Sequence, residues 1–150
     1  MKLPIFVCLA CLAADVATAQ APGAVLSSEG NWDLRARDAG RDGGPCVLTP
    51  KTPSRVQVTR GRITVTGLPR NAIFNYQYRV DDGPASTPAF PSEGMQTEGA
   101  IRIEGDAARD IVKGRRLRIR ILDRWHEAIS EDIDLSGLGT LYERLDETCR

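Results

Sequence analysis

The sequence has few aromatic residues, a single histidine and no excess of charge of either sign. Phe, Trp and Tyr make up 5% of the 150 residues, and 20 basic residues balance 20 acidic ones. A net charge of zero gives no overall field that would attract nucleic acid, an anionic membrane or an acidic substrate. With 41% apolar residues, the chain has the length and composition of one globular domain.

Motifs of common enzymes are missing as well. The chain contains no Gly-x-Ser-x-Gly motif, and its one histidine, His126, has no strand-to-helix nucleophile turn beside it. No glycine-rich loop of the phosphate-binding type is present. We therefore expect a non-enzymatic protein without a cofactor. A hydrolase that uses His126 is a third hypothesis, after the two given below.

Two acidic segments invite comparison with metal sites. Four possible ligands fall within nine residues, namely Asp123, His126, Glu127 and Glu131. Zinc sites normally combine Cys and His at recurring spacings, which this segment lacks. The Asp-Asp-Gly sequence at residues 81–83 lacks the repeated acidic spacing of a calcium loop. Turns with solvated acids are the prediction for both segments, and metal binding at the first is the alternative.

The N terminus has the pattern of a secretory signal peptide. Lys2 precedes an apolar run over residues 3–14, and Ala-Thr-Ala ends at Ala19. The run is shorter than the roughly 20 residues that a permanent span requires. We predict a signal peptide over residues 1–19, cleavage between Ala19 and Gln20, a periplasmic or secreted protein and no stable membrane span. Lipid attachment at Cys11 is the alternative.

The predicted signal peptide determines which cysteines the exported chain keeps. Of the 4 cysteines, Cys8 and Cys11 belong to the predicted signal peptide, so Cys46 and Cys149 remain. Two cysteines in an oxidising compartment allow one pairing. Neither lies in a Cys-x-x-Cys arrangement, so we predict a structural disulfide between Cys46 and Cys149 rather than a redox pair.

Alternation of apolar and polar residues predicts short strands along most of the chain. The strongest pattern places four large side chains on one face, which we expect to lie in the core: Phe74, Tyr76, Tyr78 and Val80. A turn follows at residues 81–84. Further strands are predicted at residues 31–38, 46–48, 55–59, 62–66, 99–104, 115–123 and 129–135, the third and fourth forming a hairpin.

Helices are expected at two places. Residues 106–113 can form two turns with Asp106 as N-cap. A terminal helix capped by Ser136 carries an apolar stripe formed by Leu138, Leu141, Tyr142, Leu145 and Cys149. Residues 38–45 are expected to form a loop. The predicted organisation is a flexible arm over residues 20–30 and a single β-sandwich domain over residues 31–150, mainly β and antiparallel, with a short C-terminal helix.

Three segments of this pattern resemble a known group of proteins. They are Cys46 at the start of an early strand, the Tyr-Arg-Val-Asp-Asp-Gly-Pro sequence at residues 78–84, and Asp-Leu-Ser-Gly-Leu at residues 134–138 before Leu145 and Cys149. The chain resembles small periplasmic proteins of the invasion-associated locus B type and related accessory proteins of type VI secretion. The resemblance implies an immunoglobulin-like β-sandwich, export, no known catalysis and no cofactor. It transfers no binding residue.

The strand at residues 115–123 carries a row of arginines on its outward face. Arg116, Arg118 and Arg120 could bind a phosphate or carboxylate polymer. Asp132 and Asp134 fall on the outward face of the next strand, where opposite charges pair across strands for about 0.2 to 1 kcal/mol each. We therefore expect a self-paired surface, with polymer binding as the alternative.

The segment at residues 85–98 is a long loop with two apolar residues, Phe90 and Met95, that no strand accounts for. Two roles are open for them: they are a candidate contact for a partner, or they cover an edge of the sandwich. The predicted function is an envelope accessory or protein-binding module whose partner is another envelope or secreted protein and not nucleic acid. The alternative is a secreted inhibitor of a lysozyme or protease.

Overall fold

The structure, a computed structural model, describes residues 23–37 and 46–149. The predicted signal peptide, its cleavage site between Ala19 and Gln20, and the predicted loop at residues 38–45 lie outside these ranges. The elements in chain order are β1 Val25–Glu29, β2 Trp32–Ala36, β3 Cys46–Pro50, β4 Val56–Thr59, β5 Arg62–Val65, β6 Ile73–Val80, α1 Glu93–Glu98, β7 Ile101–Glu104, α2 Asp106–Ile111, β8 Arg116–Asp123, β9 Ala128–Asp134 and α3 Leu138–Thr148. None of the helices in these ranges is long and apolar enough to cross a membrane.

The strands form two antiparallel sheets, which confirms the mainly β prediction. The larger sheet has six strands in the order β1-β2-β3-β4-β5-β7, and the smaller sheet has three in the order β6-β8-β9. The predicted hairpin is β4 and β5, with Val58 opposite Ile63. Gly61 in its turn has a φ of 66°, a conformation that glycine adopts without strain.

The core receives side chains from both sheets and from α3. Leu117, Ile119 and Ile121 of β8 are buried, as their alternation predicts, and they belong to one cluster with Trp32 of the larger sheet and Leu141 of α3. The indole Nε1 of Trp32 donates a hydrogen bond of 2.8 Å to the carbonyl oxygen of Asp134 on β9. This bond ties β2 of the larger sheet to the end of the smaller one.

The predicted disulfide and terminal helix are both present. Cys46 at the start of β3 is bonded to Cys149 directly after α3, with the two Cα atoms 5.9 Å apart. Leu138, Leu141 and Leu145 form the buried stripe of the helix. The disulfide therefore fixes the end of α3 to the larger sheet.

The prediction of a flexible arm over residues 20–30 is wrong for β1, which pairs with β2. The residues of β1 are mostly exposed and show no alternation of burial, so its sequence gives no strand signal. Backbone hydrogen bonds hold it instead. The turn that follows is fixed by the amide of Asn31, which donates a 3.0 Å hydrogen bond to the carbonyl oxygen of Ser136.

The prediction that Phe74 lies in the core is also wrong. Phe74 is 43% exposed, and Ile73 is buried in its place. The pairing of β6 with β8 shifts register between Ile73 and Asn75, and such an irregularity moves a side chain to the other face. Beyond the shift, Tyr76 is buried and Tyr78 packs against the core as expected.

Both predicted N-caps are displaced by one residue. Gly105 rather than Asp106 precedes α2, and Asp106 is the first helical residue. Its negative charge there interacts favourably with the positive end of the helix dipole. Gly137 rather than Ser136 precedes α3. The hydroxyl of Ser136 instead donates to Asp134 Oδ1 at 2.6 Å.

Candidate functional site

The outward face of the smaller sheet brings polar side chains from three strands into rows. Arg79 of β6 lies opposite Arg118 of β8, which lies opposite Asp132 of β9. The neighbouring row contains Gln77, Arg120 and Ser130. These six residues line a pocket of ≈ 360 Å³, with Ala85 of the following loop at its edge. We call the six residues the arginine pocket.

Part of the arginine row is self-paired, as the sequence predicts. Arg116 binds the carboxylate of Asp132 with two hydrogen bonds, from Nε to Oδ1 at 2.6 Å and from Nη2 to Oδ2 at 2.7 Å. The hydrogen bonding from Arg116 lowers the pKa of Asp132 from its ordinary value. Arg118 is more distant, with its Nε 3.8 Å from Asp132 Oδ2. Asp132 is therefore committed mainly to Arg116, which lies outside the pocket.

The second acid expected to neutralise the arginines is used elsewhere. Asp134 Oδ1 accepts hydrogen bonds from the backbone amide of Ser136 at 2.8 Å and from its hydroxyl at 2.6 Å. Asn31 donates to the other oxygen. These bonds, led by the Ser136 hydroxyl, lower the pKa of Asp134. Asp134 lies opposite Arg116, as expected, and the charge of Arg116 adds to the lowering of its pKa. In the described residues its carboxylate closes the turn before α3 and forms no direct ion pair with the arginine row.

Two arginines of the pocket have no acidic partner within residues 23–37 and 46–149. Arg120 lies opposite the neutral Ser130, and Arg79 lies opposite Arg118. The Nε of Arg79 is also inaccessible to solvent and has no hydrogen-bond acceptor. The alternation in β6 places Arg79 on the outward face, but the sequence does not reveal that it faces another arginine.

A second feature lies on the surface around Phe74. The ring of Phe74 packs edge-on against Phe90 with centroids 6.0 Å apart and against His126 with centroids 5.7 Å apart. Phe90 is 69% exposed, and Trp125, which precedes His126, is 72% exposed. We call Phe74, Phe90 and His126, together with Trp125 beside His126 in the sequence, the aromatic surface.

Backbone hydrogen bonds attach Phe90 to the smaller sheet. Its neighbour Ala89 exchanges two hydrogen bonds with Tyr76 of β6, at 2.8 and 2.9 Å. The segment after residue 85 therefore covers the free edge of β6 while holding Phe90 in solvent. Met95, the other predicted contact residue, lies on α1 and packs against the core. The structure thus exposes Phe90 but does not place Met95 beside it.

Three of the four candidate metal ligands, Asp123, His126 and Glu131, make other contacts through their side chains. Asp123 is buried, and its Oδ1 accepts hydrogen bonds from the amides of Trp125 at 2.9 Å and Glu127 at 2.8 Å, which shapes the turn below the aromatic surface. Glu131 pairs with Arg55 at 3.1 Å. Within the described part of the chain, no three His, Cys, Asp or Glu side chains are grouped so as to hold a metal ion.

In the described residues, the fold and these two surfaces define a mainly β protein with two antiparallel sheets, a disulfide between Cys46 and Cys149, a pocket lined by three arginines and an exposed aromatic surface. Comparison of the chain with protein-family models, with curated proteins and with solved structures gives no match.

Proposed function

We propose that this protein is an exported, non-enzymatic binding module that contacts another envelope or secreted protein through the aromatic surface. The observation that carries the proposal is the exposure of Phe74, Phe90 and Trp125 in a chain that has only 5% aromatic residues. Aromatic residues are enriched at the centres of protein interfaces, where they contribute a large share of the binding energy.

The way the aromatic surface is held also supports this function. Two backbone bonds to Tyr76 fix the residue before Phe90, and the carboxylate of Asp123 fixes the turn that contains Trp125 and His126. A backbone held in place before binding loses less conformational entropy when a partner arrives. The aromatic surface is therefore suited to recognition rather than to covering a core.

Export and the finer fold belong to the same proposal. The disulfide between Cys46 and Cys149 is typical of an oxidising compartment, which agrees with the signal-peptide pattern over residues 1–19. We propose that the two sheets stack as a sandwich, because their buried side chains share one cluster. An immunoglobulin-like sandwich brings non-consecutive strands together, whereas β1 to β5 are consecutive neighbours. The order of β1 to β5 therefore adds no support for the immunoglobulin-like form. That form and the resemblance to the locus B type rest on the sequence alone.

Capture of the partner from an envelope extract tests the binding function. We expect the wild-type protein to retain a specific partner and the double variant Phe90→Ser, Trp125→Ser to retain at least about tenfold less, as expected when hot-spot aromatics are lost. Leu26→Ser is a matched control, since Leu26 is also exposed and apolar but lies on β1. Equal recovery with all three proteins would reject the aromatic surface as the contact.

The alternative function, inhibition of a lysozyme or protease, is favoured by one observation. Phe90 projects from a segment anchored on one side by Ala89 and on the other by Ser92, whose hydroxyl caps α1. An exposed side chain on an anchored segment can enter an enzyme cleft without much rearrangement. Inhibition assays on a small panel of lysozymes and proteases test this, and an absence of inhibition at micromolar concentration would reject it.

A further inference from the structure

The arginine pocket contains two features that are unfavourable without a ligand. Arg79 and Arg118 are directly opposite each other on β6 and β8, and like charges in that position destabilise a sheet. The Nε of Arg79 is buried with no acceptor in the described part of the chain, which has the cost of an unsatisfied polar group. An anion bound to the terminal nitrogens of both guanidinium groups would remove the repulsion between them.

The charges around the pocket leave these arginines available. The two acids at the pocket are Glu131 and Asp132. Glu131 pairs with Arg55, and Asp132 pairs with Arg116, so both acids are neutralised by arginines outside the pocket. The three arginines that line the pocket are Arg79, Arg118 and Arg120. Of these three, Arg118 alone forms an ion pair with an acid in the part of the chain that the structure describes, with its Nε 3.8 Å from Asp132 Oδ2.

The number and type of donors point to phosphate rather than to a carboxylate. A carboxylate matches the fork of one guanidinium, whereas a phosphate presents three acceptor oxygens and up to two negative charges to several arginines. Ser130, on the same row as Arg120, adds a hydroxyl that can donate a further hydrogen bond. The pocket volume of ≈ 360 Å³ lies at the lower end of the range of small-ligand sites, about 300 to 1,000 Å³.

We propose that the arginine pocket binds the phosphate group of a small phosphate ester, with Arg79, Arg118 and Arg120 as the binding residues. The bound phosphate accepts hydrogen bonds from the terminal guanidinium nitrogens of Arg79 and Arg118, and it neutralises the repulsion between the two side chains. This site is separate from the aromatic surface, so it does not depend on the proposed protein partner.

Titration calorimetry on the purified protein at low ionic strength tests the site with two probes, inorganic phosphate and glycerol phosphate. We expect saturable binding of both to the wild type. Arg79→Gln and Arg120→Gln should each weaken binding about tenfold or more, the effect of losing a charge-assisted hydrogen bond. Arg109→Gln on α2 is the matched control, because Arg109 is an exposed arginine that pairs with Asp106 outside the pocket. It should leave the affinity unchanged.

A variant with the opposite expected effect separates ligand binding from a structural role. Asp132→Asn removes the acid nearest to Arg118, so phosphate should bind more tightly although an ion pair has been lost. Circular dichroism checks that each variant is folded. The proposal is overturned if neither probe binds, if Arg109→Gln weakens binding as much as Arg120→Gln, or if Asp132→Asn weakens it.

Vesicles distinguish the two sources of such a phosphate. The same variants are sedimented with vesicles of phosphatidylglycerol and, as a comparison, of neutral phosphatidylcholine. Binding to phosphatidylglycerol that Arg120→Gln abolishes would support a lipid headgroup as the source, and binding of glycerol phosphate alone would support a soluble ester. Acetate or sulfate that binds as tightly as phosphate would overturn the assignment to phosphate.

Discussion

Cys46 and Cys149 are covalently joined across 103 residues, with their Cα atoms 5.9 Å apart. Cys46 begins β3 in the larger sheet, and Cys149 directly follows α3. The closed loop therefore contains nearly every element after β2, including the whole smaller sheet. A bond that closes so long a loop strongly restricts the unfolded chain, so it contributes to stability even where it adds little packing.

Removing this disulfide should lower the stability considerably. We expect the double variant Cys46→Ala, Cys149→Ala to lose about 3 to 5 kcal/mol of unfolding free energy, because its unfolded chain regains the entropy of an open loop. Urea denaturation followed by circular dichroism measures the change. Reduced wild-type protein is the control and should match the variant. A loss below about 1 kcal/mol in both would show that the closed loop contributes little to stability.

The stability should fall at acidic pH. The pKa of Asp134 is lowered by hydrogen bonds from Ser136, that of Asp33 by the hydrogen bond from Ser28, and that of Asp132 by the hydrogen bonding from Arg116. A carboxylate whose pKa is lower in the folded protein than its ordinary value of 3.8 stabilises the fold. This contribution is complete at pH values above 3.8 and is lost as the pH falls through the pKa of the folded state. The urea midpoint should therefore be steady from pH 7 to about 4.5 and decrease below about 4.

The contribution of Asp134 can be isolated with Asp134→Asn. This variant keeps the size of the side chain but has no carboxylate to protonate, so its urea midpoint should decrease less steeply below pH 4 than that of the wild type. The comparison is made at matched ionic strength, since salt screens exposed charges. Identical slopes for the two proteins would contradict a lowered pKa at Asp134.

A single hydroxyl joins α3 to the β4–β5 turn. The amide of Gly61 donates a 2.8 Å hydrogen bond to the hydroxyl oxygen of Tyr142. We expect Tyr142→Phe to lower the free energy of unfolding by about 0.5 to 1.5 kcal/mol, the net value of a typical hydrogen bond. Tyr78→Phe is the matched control, because the Tyr78 hydroxyl makes no hydrogen bond within residues 23–37 and 46–149. Equal losses in urea denaturation would reject a role for this bond.

Strongly periodic segments could be predicted from the sequence. Leu117, Ile119 and Ile121 alternate with arginines and are buried in β8, while the spacing of Leu138, Leu141 and Leu145 gives the helix and its inward face. In these segments the burial of apolar side chains decides the local structure, and the spacing of the apolar residues in the sequence shows which side chains are buried. The disulfide between Cys46 and Cys149 could also be predicted, because these are the only two cysteines after the predicted signal peptide.

The features that were missed depend on backbone contacts or on strand register. β1 is held by pairing with β2 and by the Asn31 to Ser136 hydrogen bond, and neither leaves an apolar pattern. The irregularity next to Ile73 exposes Phe74, although the sequence there alternates regularly. Arg79 meets Arg118 only through the register of β6 on β8, so the arginine pocket could not be predicted from either strand alone.

Phe90 and Met95 should respond differently to substitution. Phe90→Ser should change the free energy of unfolding by no more than about 0.5 kcal/mol, because the side chain is exposed and Ala89 supplies the backbone bonds. Met95→Ala should cost about 1 to 3 kcal/mol, because Met95 packs against the core. Thermal and urea denaturation measure both. A Phe90→Ser variant that unfolds would instead show that Phe90 acts as a cover for the edge of β6.

Alanine substitutions at two glycines with positive φ distinguish the cost of backbone strain from the cost of a steric clash. Gly137, with a φ of 89°, lies against the β1–β2 turn. A Cβ added there would be closer to the Glu29 carbonyl oxygen than the sum of their van der Waals radii, and 2.8 Å from the Gly30 nitrogen. Gly105, with a φ of 67°, has open space around the same position. Gly105 has a φ of 67° and a ψ of −136°, a combination that residues other than glycine rarely adopt. Alanine at Gly105 should therefore cost this backbone strain alone, about 1 to 3 kcal/mol.

Gly137→Ala should cost about 3 kcal/mol or more, since the strain of a left-handed conformation is combined with a clash against backbone atoms that cannot move aside as a side chain can. The clash would separate the β1–β2 turn from the start of α3 and break the Asn31 to Ser136 hydrogen bond, so the amides of β1 should exchange faster in Gly137→Ala than in Gly105→Ala. Hydrogen exchange and urea denaturation of the two variants measure this difference. Equal stability losses, or unchanged protection of β1, would show that the turn does not depend on close contact with Gly137.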